Sequence, residues 1–135
     1  MSHDAVVKAL QAFFSCHQDG IVCVYLYGSL ARREDRRGSD VDIAVLYEKT
    51  PPATLDGLGL ELSGALERLL RRPVDLVVLN RAPVDLIHRI LRDGMLIYEH
   101  DRSARTRFEV KARNEYFDLL PYLRQYRRAA RVQRT

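Results

Sequence analysis

Gly28-Ser29 is followed, after ten intervening residues, by Asp40-Val41-Asp42. Glycine lets a backbone come close to a ligand, and serine offers a hydroxyl and an N–H at a helix start, where anions are favoured. Two carboxylates one residue apart on a strand project to the same side, while Val41, Ile43 and Val45 project to the other. Such a pair repels itself unless a cation sits between, which makes divalent metal the chemistry it suits. A third carboxylate, Asp75, stands within the apolar run 74–79, where a charge costs several kcal/mol unless it is paired or coordinated. If its strand neighbours that of Asp42, three carboxylates meet. All-oxygen sites of this kind suit Mg²⁺, which keeps waters and takes its other ligands from substrate phosphates. The combination reads as machinery for moving a nucleotide from a triphosphate to an acceptor.

Each residue also has a plainer use. Asp40 could cap a turn, Asp42 could pair with an arginine, and Asp75 could bridge to Arg71 or Arg72. Gly-Ser could be an ordinary strand-to-helix turn. Arg32, Arg33, Arg36 and Arg37 lie between the turn and the aspartates, where some could neutralise a triphosphate or its pyrophosphate leaving group.

The flanking elements must position these groups. Val6, Val7, Leu10, Phe13 and Phe14 recur at helical spacing, which predicts a helix over 3–17 that Asp19-Gly20 breaks. Residues 21–27 are a continuous β-prone run, expected of a strand covered on both faces. After Gly28, a short helix over 30–33 is predicted with Ser29 as its cap, then a second strand over 40–47. The leucines at 55, 58, 62, 66, 69 and 70 predict one side of a helix over 53–72, with Gly57, Gly59 and Gly64 as weak spots and Pro73 as its stop. A third strand is predicted over 74–79, a helix over 83–92 with Pro83 in its first turn, and a fourth strand over 95–98. A last helix is predicted over 103–131, kinked or split at Pro121. The order gives an α/β fold: a small mixed sheet of about four strands with helices packed on it. One domain, 1–135, is expected, with a core over about 1–100 and a C-terminal helical segment over about 101–132.

Composition excludes several classes. The chain is 47% hydrophobic and 30% charged, and no apolar run approaches the roughly 20 residues of a membrane span. Met1-Ser2-His3-Asp4 lacks the basic start and apolar stretch of a signal peptide, so a cytoplasmic protein is expected. Cys16 and Cys23 read as buried, inert thiols in a reducing compartment, and the four histidines lack zinc-site spacing. Net charge is +4, and 19 of the 22 basic residues are arginine, so an anionic ligand or partner competes with a merely solvated face. No aromatic RNA-reading motif accompanies the arginines, which argues against nucleic acid as substrate. The last helix is rich in apolar and aromatic residues, among them Phe108, Tyr116, Phe117, Tyr122 and Tyr126. Core is the first expectation for most of them and partner surface the second.

Gly28-Ser29-Leu30-Ala31-Arg32…Gly38-Ser39-Asp40-Val41-Asp42-Ile43-Ala44-Val45 resembles the signature of the DNA-polymerase-β-type nucleotidyltransferases. The spacing is that of their minimal (MNT) members, and Asp75 in Pro73-Val74-Asp75-Leu76-Val77 matches the third acidic position. The small size is similar to that of MNT antitoxins of HEPN–MNT toxin–antitoxin modules. Relatives often carry glycine two residues after Ala31, where this chain has Arg33.

The resemblance implies a polymerase-β-like palm fold and transfer of AMP from ATP to a hydroxyl. Asp40, Asp42 and Asp75 would hold two Mg²⁺ ions, and Gly28, Ser29, Arg32 and Ser39 would contact the nucleotide. The implied acceptor is a tyrosine of a cognate HEPN ribonuclease toxin, within a homo- or hetero-oligomer. Two alternatives stand beside it: an antitoxin that binds stoichiometrically with a vestigial site, and a small-molecule adenylyltransferase of the aminoglycoside type.

Overall fold

The computed structural model describes residues 2–133 except 18–19, 35–38, 55–56 and 58, and only the backbone of residues 132 and 133. Helix α1 spans His3–Cys16, and the Ser2 hydroxyl caps it by accepting from the Ala5 N–H at 3.2 Å. Strands β1 (Ile21–Tyr27), β2 (Val41–Tyr47), β3 (Val74–Val78) and β4 (Met95–Glu99) form one mixed sheet in the order β3-β2-β1-β4. The short link after β1 folds β2 back antiparallel to it, and β4 also pairs antiparallel with β1. Between β2 and β3 runs helix α3 (Leu60–Leu70), and a crossover of that length makes these two strands parallel.

The alternation of each strand divides the core in two. Val24, Leu26, Val41, Ile43 and Val45 face α1 and α3, whose Val6, Leu10, Phe14, Leu66 and Leu70 are buried against them. Val22, Cys23, Tyr25, Ala44 and Leu46 face the other way, toward helices α4 (Val84–Asp93) and α5 (Arg102–Gln133). The double cover expected for residues 21–27 is thus present. Among the described residues, no helix is long and apolar enough to cross a membrane.

Several boundaries differ from expectation. Helix α3 begins at Leu60, not 53, because Gly59 enters it at φ +91° and a Cβ there would sit 2.4 Å from Leu76 Cδ2. It ends at Leu70 because Arg71 adopts the left-handed conformation at φ 54°. Of the leucines expected on one side, Leu66 and Leu70 are buried and Leu62 packs against the core, whereas Leu69 is exposed; Leu55 and Leu58 lie outside the described residues. Strand β3 stops at Val78, and Leu79–Arg81 form a 3₁₀ turn. There the Asn80 side chain accepts from the Tyr47 N–H and donates to the Tyr47 carbonyl, each at 2.9 Å. Pro83 is the N-cap of α4, not part of its first turn. Helix α5 continues through Pro121: one N–H is lost there, and strong helix formers on both sides carry the helix on. Cys23 is buried, as expected, and burial pushes its thiol up to about 12, whereas Cys16 is exposed.

A polar cluster fixes the first half of α5 to the sheet. Arg105 donates to Glu99 at 2.7 Å and to Glu109 at 2.9 Å, and Glu109 accepts from the Tyr25 hydroxyl at 2.5 Å. These charges are mostly shielded from water, with Arg105 17% exposed. Arg105→Ala would leave two carboxylates facing each other without a cation, and is expected to cost about 1–2 kcal/mol in a urea melt.

Candidate active site

Strand β1 ends at Tyr27, and Gly28 opens helix α2 (Gly28–Ala31) at φ +72°. The expected cap role of Ser29 is not what the structure has: Tyr27 holds the cap position and Ser29 is inside the helix. Among the described residues no side-chain hydrogen bond caps this four-residue helix. The reason for glycine here is visible. A Cβ at Gly28 would lie 2.0 Å from Asp42 Oδ2, so the carboxylate of Asp42 occupies the space a side chain would need.

Asp42 is the hub of the site. It pairs with Tyr27 across β1 and with Asp75 across β3, and both registers bring the paired side chains to the same face. Val41 and Ile43 belong to the opposite core, which places Asp42 on the α4–α5 face, as the alternation predicted. Asp40 lies one residue before β2 and is exposed. Burial raises the Asp42 carboxyl, the charges of Asp75 and Asp40 raise it further, and Arg32 opposes them. Asp42 therefore feels the charge of both other carboxylates.

Asp75 needs a correction. It is exposed, because β3 is an edge strand, so the cost of burying its charge does not apply. Its place opposite Asp42 carries the argument instead. Among the described residues it forms no ion pair with Arg71 or Arg72. Arg72 donates to the Ser39 carbonyl at 2.7 and 3.1 Å and to the Ser39 hydroxyl at 3.1 Å, which anchors the loop where it re-enters β2 beside Asp40.

Arg32 pairs with Glu34 at 3.1 Å and is half exposed, within reach of Asp42 by its electrostatic effect. Arg36 and Arg37 lie outside the described residues. Arg33 has φ 58°, the left-handed conformation that a glycine at this position would adopt without strain, and its ion pair with Asp4 at 3.5 Å is exposed. Arg33→Gly is expected to stabilise the fold by about 0.5–1 kcal/mol, read as a raised Tm.

Two residues escaped the sequence reading. Burial pushes the Tyr27 phenol up, Asp75 and Asp42 add to this, and Arg89 of α4 opposes it. Tyr27 and Arg89 thus share the electrostatics of the carboxylate face. Its place immediately before Gly28 was the signal that could have found Tyr27.

Hard carboxylate oxygens side by side and close to solvent fit a divalent cation such as Mg²⁺. Among the described residues no three acidic, histidine or cysteine side chains are drawn into a closed metal-binding group. Asp42 and Asp75 stand abreast on adjacent strands instead, with Asp40 just before β2.

A Gly-Ser turn seated on a carboxylate, with a second carboxylate abreast on a mixed four-stranded sheet, defines a protein of the nucleotidyl-transfer class. The family model of "Polymerase beta, Nucleotidyltransferase" matches residues 8–103, and the chain belongs to that family. It is a nucleotidyltransferase with the polymerase-β-like fold. No curated protein matches it. Among solved structures it is similar to a toxin–antitoxin with AMP-PNP, at 26% identity and a TM-score of 0.69, over 98% of this chain and 97% of that one. It also resembles a chain of the complex of tri-AMPylated Shewanella oneidensis HEPN toxin with MNT antitoxin, at 24% identity and a TM-score of 0.69, over 97% and 96% of the two chains. A protein designated a minimal nucleotidyltransferase is 31% identical, with a TM-score of 0.57, over 70% of this chain and 95% of that one.

Proposed function

We propose that this chain is an antitoxin enzyme that uses Mg²⁺ to transfer AMP from ATP to a tyrosine hydroxyl of a cognate HEPN toxin, silencing it. The observation that carries the reading is the seat of Gly28 on Asp42 with Asp75 abreast. This closeness supports a turn that would accept an anion beside carboxylates that would hold its cation, as a triphosphate requires. The AMP-PNP of one structural relative and the AMPylated HEPN toxin of another supply the nucleotide and the acceptor.

In this reading the acceptor oxygen attacks the α-phosphorus of ATP, the bond to pyrophosphate breaks, and the hydroxyl proton leaves to solvent. The N–H groups of Gly28 and Ser29 would orient the triphosphate so that attack is in line. Arg32 would offset phosphate charge, and Ser39, held by Arg72, would set the loop beside Asp40. Asp40, Asp42 and Asp75 would hold Mg²⁺, which when bound activates the attacking hydroxyl and offsets charge on the leaving pyrophosphate. The chain's own share is placement.

Exposed aromatic residues on α5 give a second reading some support: neutralisation by contact alone. Co-expression separates the two. Cells making the toxin are expected to grow with the wild-type chain and to stop growing with Asp75→Asn. Growth with that variant equal to wild type would favour contact alone.

A further inference from the structure

Helix α5 has two unlike halves. The Asp101 N–H reaches the Val22 carbonyl at 3.4 Å, and Glu109 accepts from Tyr25, so α5 runs in the same sense as β1. It therefore heads for the end of the sheet where Gly28 and the carboxylates stand, on the face to which they project. Tyr116 stacks on His88 of α4 with ring centroids 3.5 Å apart. Beyond Phe117, among the described residues, no hydrogen bond, ion pair or ring contact ties α5 to another element. Residues 118–133 extend for about 24 Å at 1.5 Å per residue.

This overhang is not built for water alone. Phe117, Tyr122 and Tyr126 are 57%, 69% and 75% exposed, and Leu120 and Leu123 continue an apolar stripe at helical spacing. Arg124, Arg127, Arg128 and Arg131 flank it, against Asp118 as the one acid. The family match ends at residue 103, so the matched nucleotidyltransferase core does not account for this segment. A second copy of the helix would set arginine against arginine. RNA could answer the arginines and tyrosines but leaves the leucines in water. A protein groove with apolar floor and acidic rim answers all three.

We infer that the second half of α5 is the docking arm for the acceptor protein, which seats on its apolar stripe and arginines and so presents its hydroxyl at the Asp42 end of the sheet. This rests on the proposed transfer to a protein. The acceptor is an acidic helical or grooved surface, recognised away from the chemistry.

The test uses the full chain and purified cognate HEPN toxin, with two variants, Tyr122→Ala/Tyr126→Ala and Arg127→Glu/Arg128→Glu. Each is expected to raise the Kd for the toxin about 30-fold or more while Tm and the affinity for Mg·ATP stay unchanged. With saturating toxin, kcat is expected to hold while KM for the toxin rises. Toxin binding equal to wild type in both variants overturns the inference, even if AMP transfer proceeds, in which case the proposed function survives without it. Loss of binding by the variants, with no AMP transfer by wild type, keeps the docking arm and sinks the proposed function. Variants that break a homodimer, or lose RNA, while still holding toxin also overturn it, as does a wild-type chain that does not bind toxin.

Discussion

Gly28→Ala is expected to abolish nucleotide transfer while Gly20→Ala, at the same φ of +72°, leaves it intact. Both substitutions force a side chain into the left-handed conformation, at about 1–2 kcal/mol each. A Cβ at Gly20 meets nothing within 4 Å, whereas at Gly28 it falls 2.0 Å from Asp42 Oδ2. Either the carboxylate or the turn must move, and a displacement of about 1 Å at a reacting centre can cost 100-fold in rate. The loss of stability should therefore be larger for Gly28→Ala, by about 1–2 kcal/mol in a denaturant melt, and the loss of activity should be confined to it. Comparable activity in the two variants would show that the turn and the carboxylate do not work together.

Asp42→Asn is expected to move activity and stability in opposite directions. The amide keeps the shape but withdraws the charge that would hold the cation, and transfer should fall to background. In chelator-treated protein the same change should raise Tm. The sign follows from linkage: the Asp42 carboxyl is raised by burial, then by Asp75 and Asp40. Its contribution to stability is present below the unfolded carboxylate value, about 3.9, and is lost as pH rises through the raised folded value. At neutral pH the native state thus carries a disfavoured charge that asparagine removes. The Tm difference between the two proteins should widen across that acidic window and level off above it. A variant that loses activity and stability together would point to a structural role for Asp42 instead.

The parts of the site that depend on local periodicity were legible in the chain. Strand alternation placed Asp42 opposite Val41 and Ile43, and the composition of β3 marked Asp75 as its odd residue. The physical reason given for Asp75 did not hold, because exposure depends on sheet order and no local pattern shows that β3 is an edge. Backbone sign was equally hidden: the left-handed φ of Arg33 and Arg71 moves a loop and ends a helix with residues that usually avoid it. The core reading of the last helix failed for Phe117, Tyr122 and Tyr126. Helical spacing tells which face is apolar, but what covers that face is settled by length, and α5 outruns the sheet it packs on.

Asp42→Asn also frames the central measurement, the intact mass of purified HEPN toxin after incubation with this chain, ATP and Mg²⁺. The wild-type chain is expected to add whole AMP units to a tyrosine, releasing one pyrophosphate for each, and Asp42→Asn is expected to add none. Toxin of unchanged mass with the wild-type chain, or equal labelling by Asp42→Asn, would contradict the account.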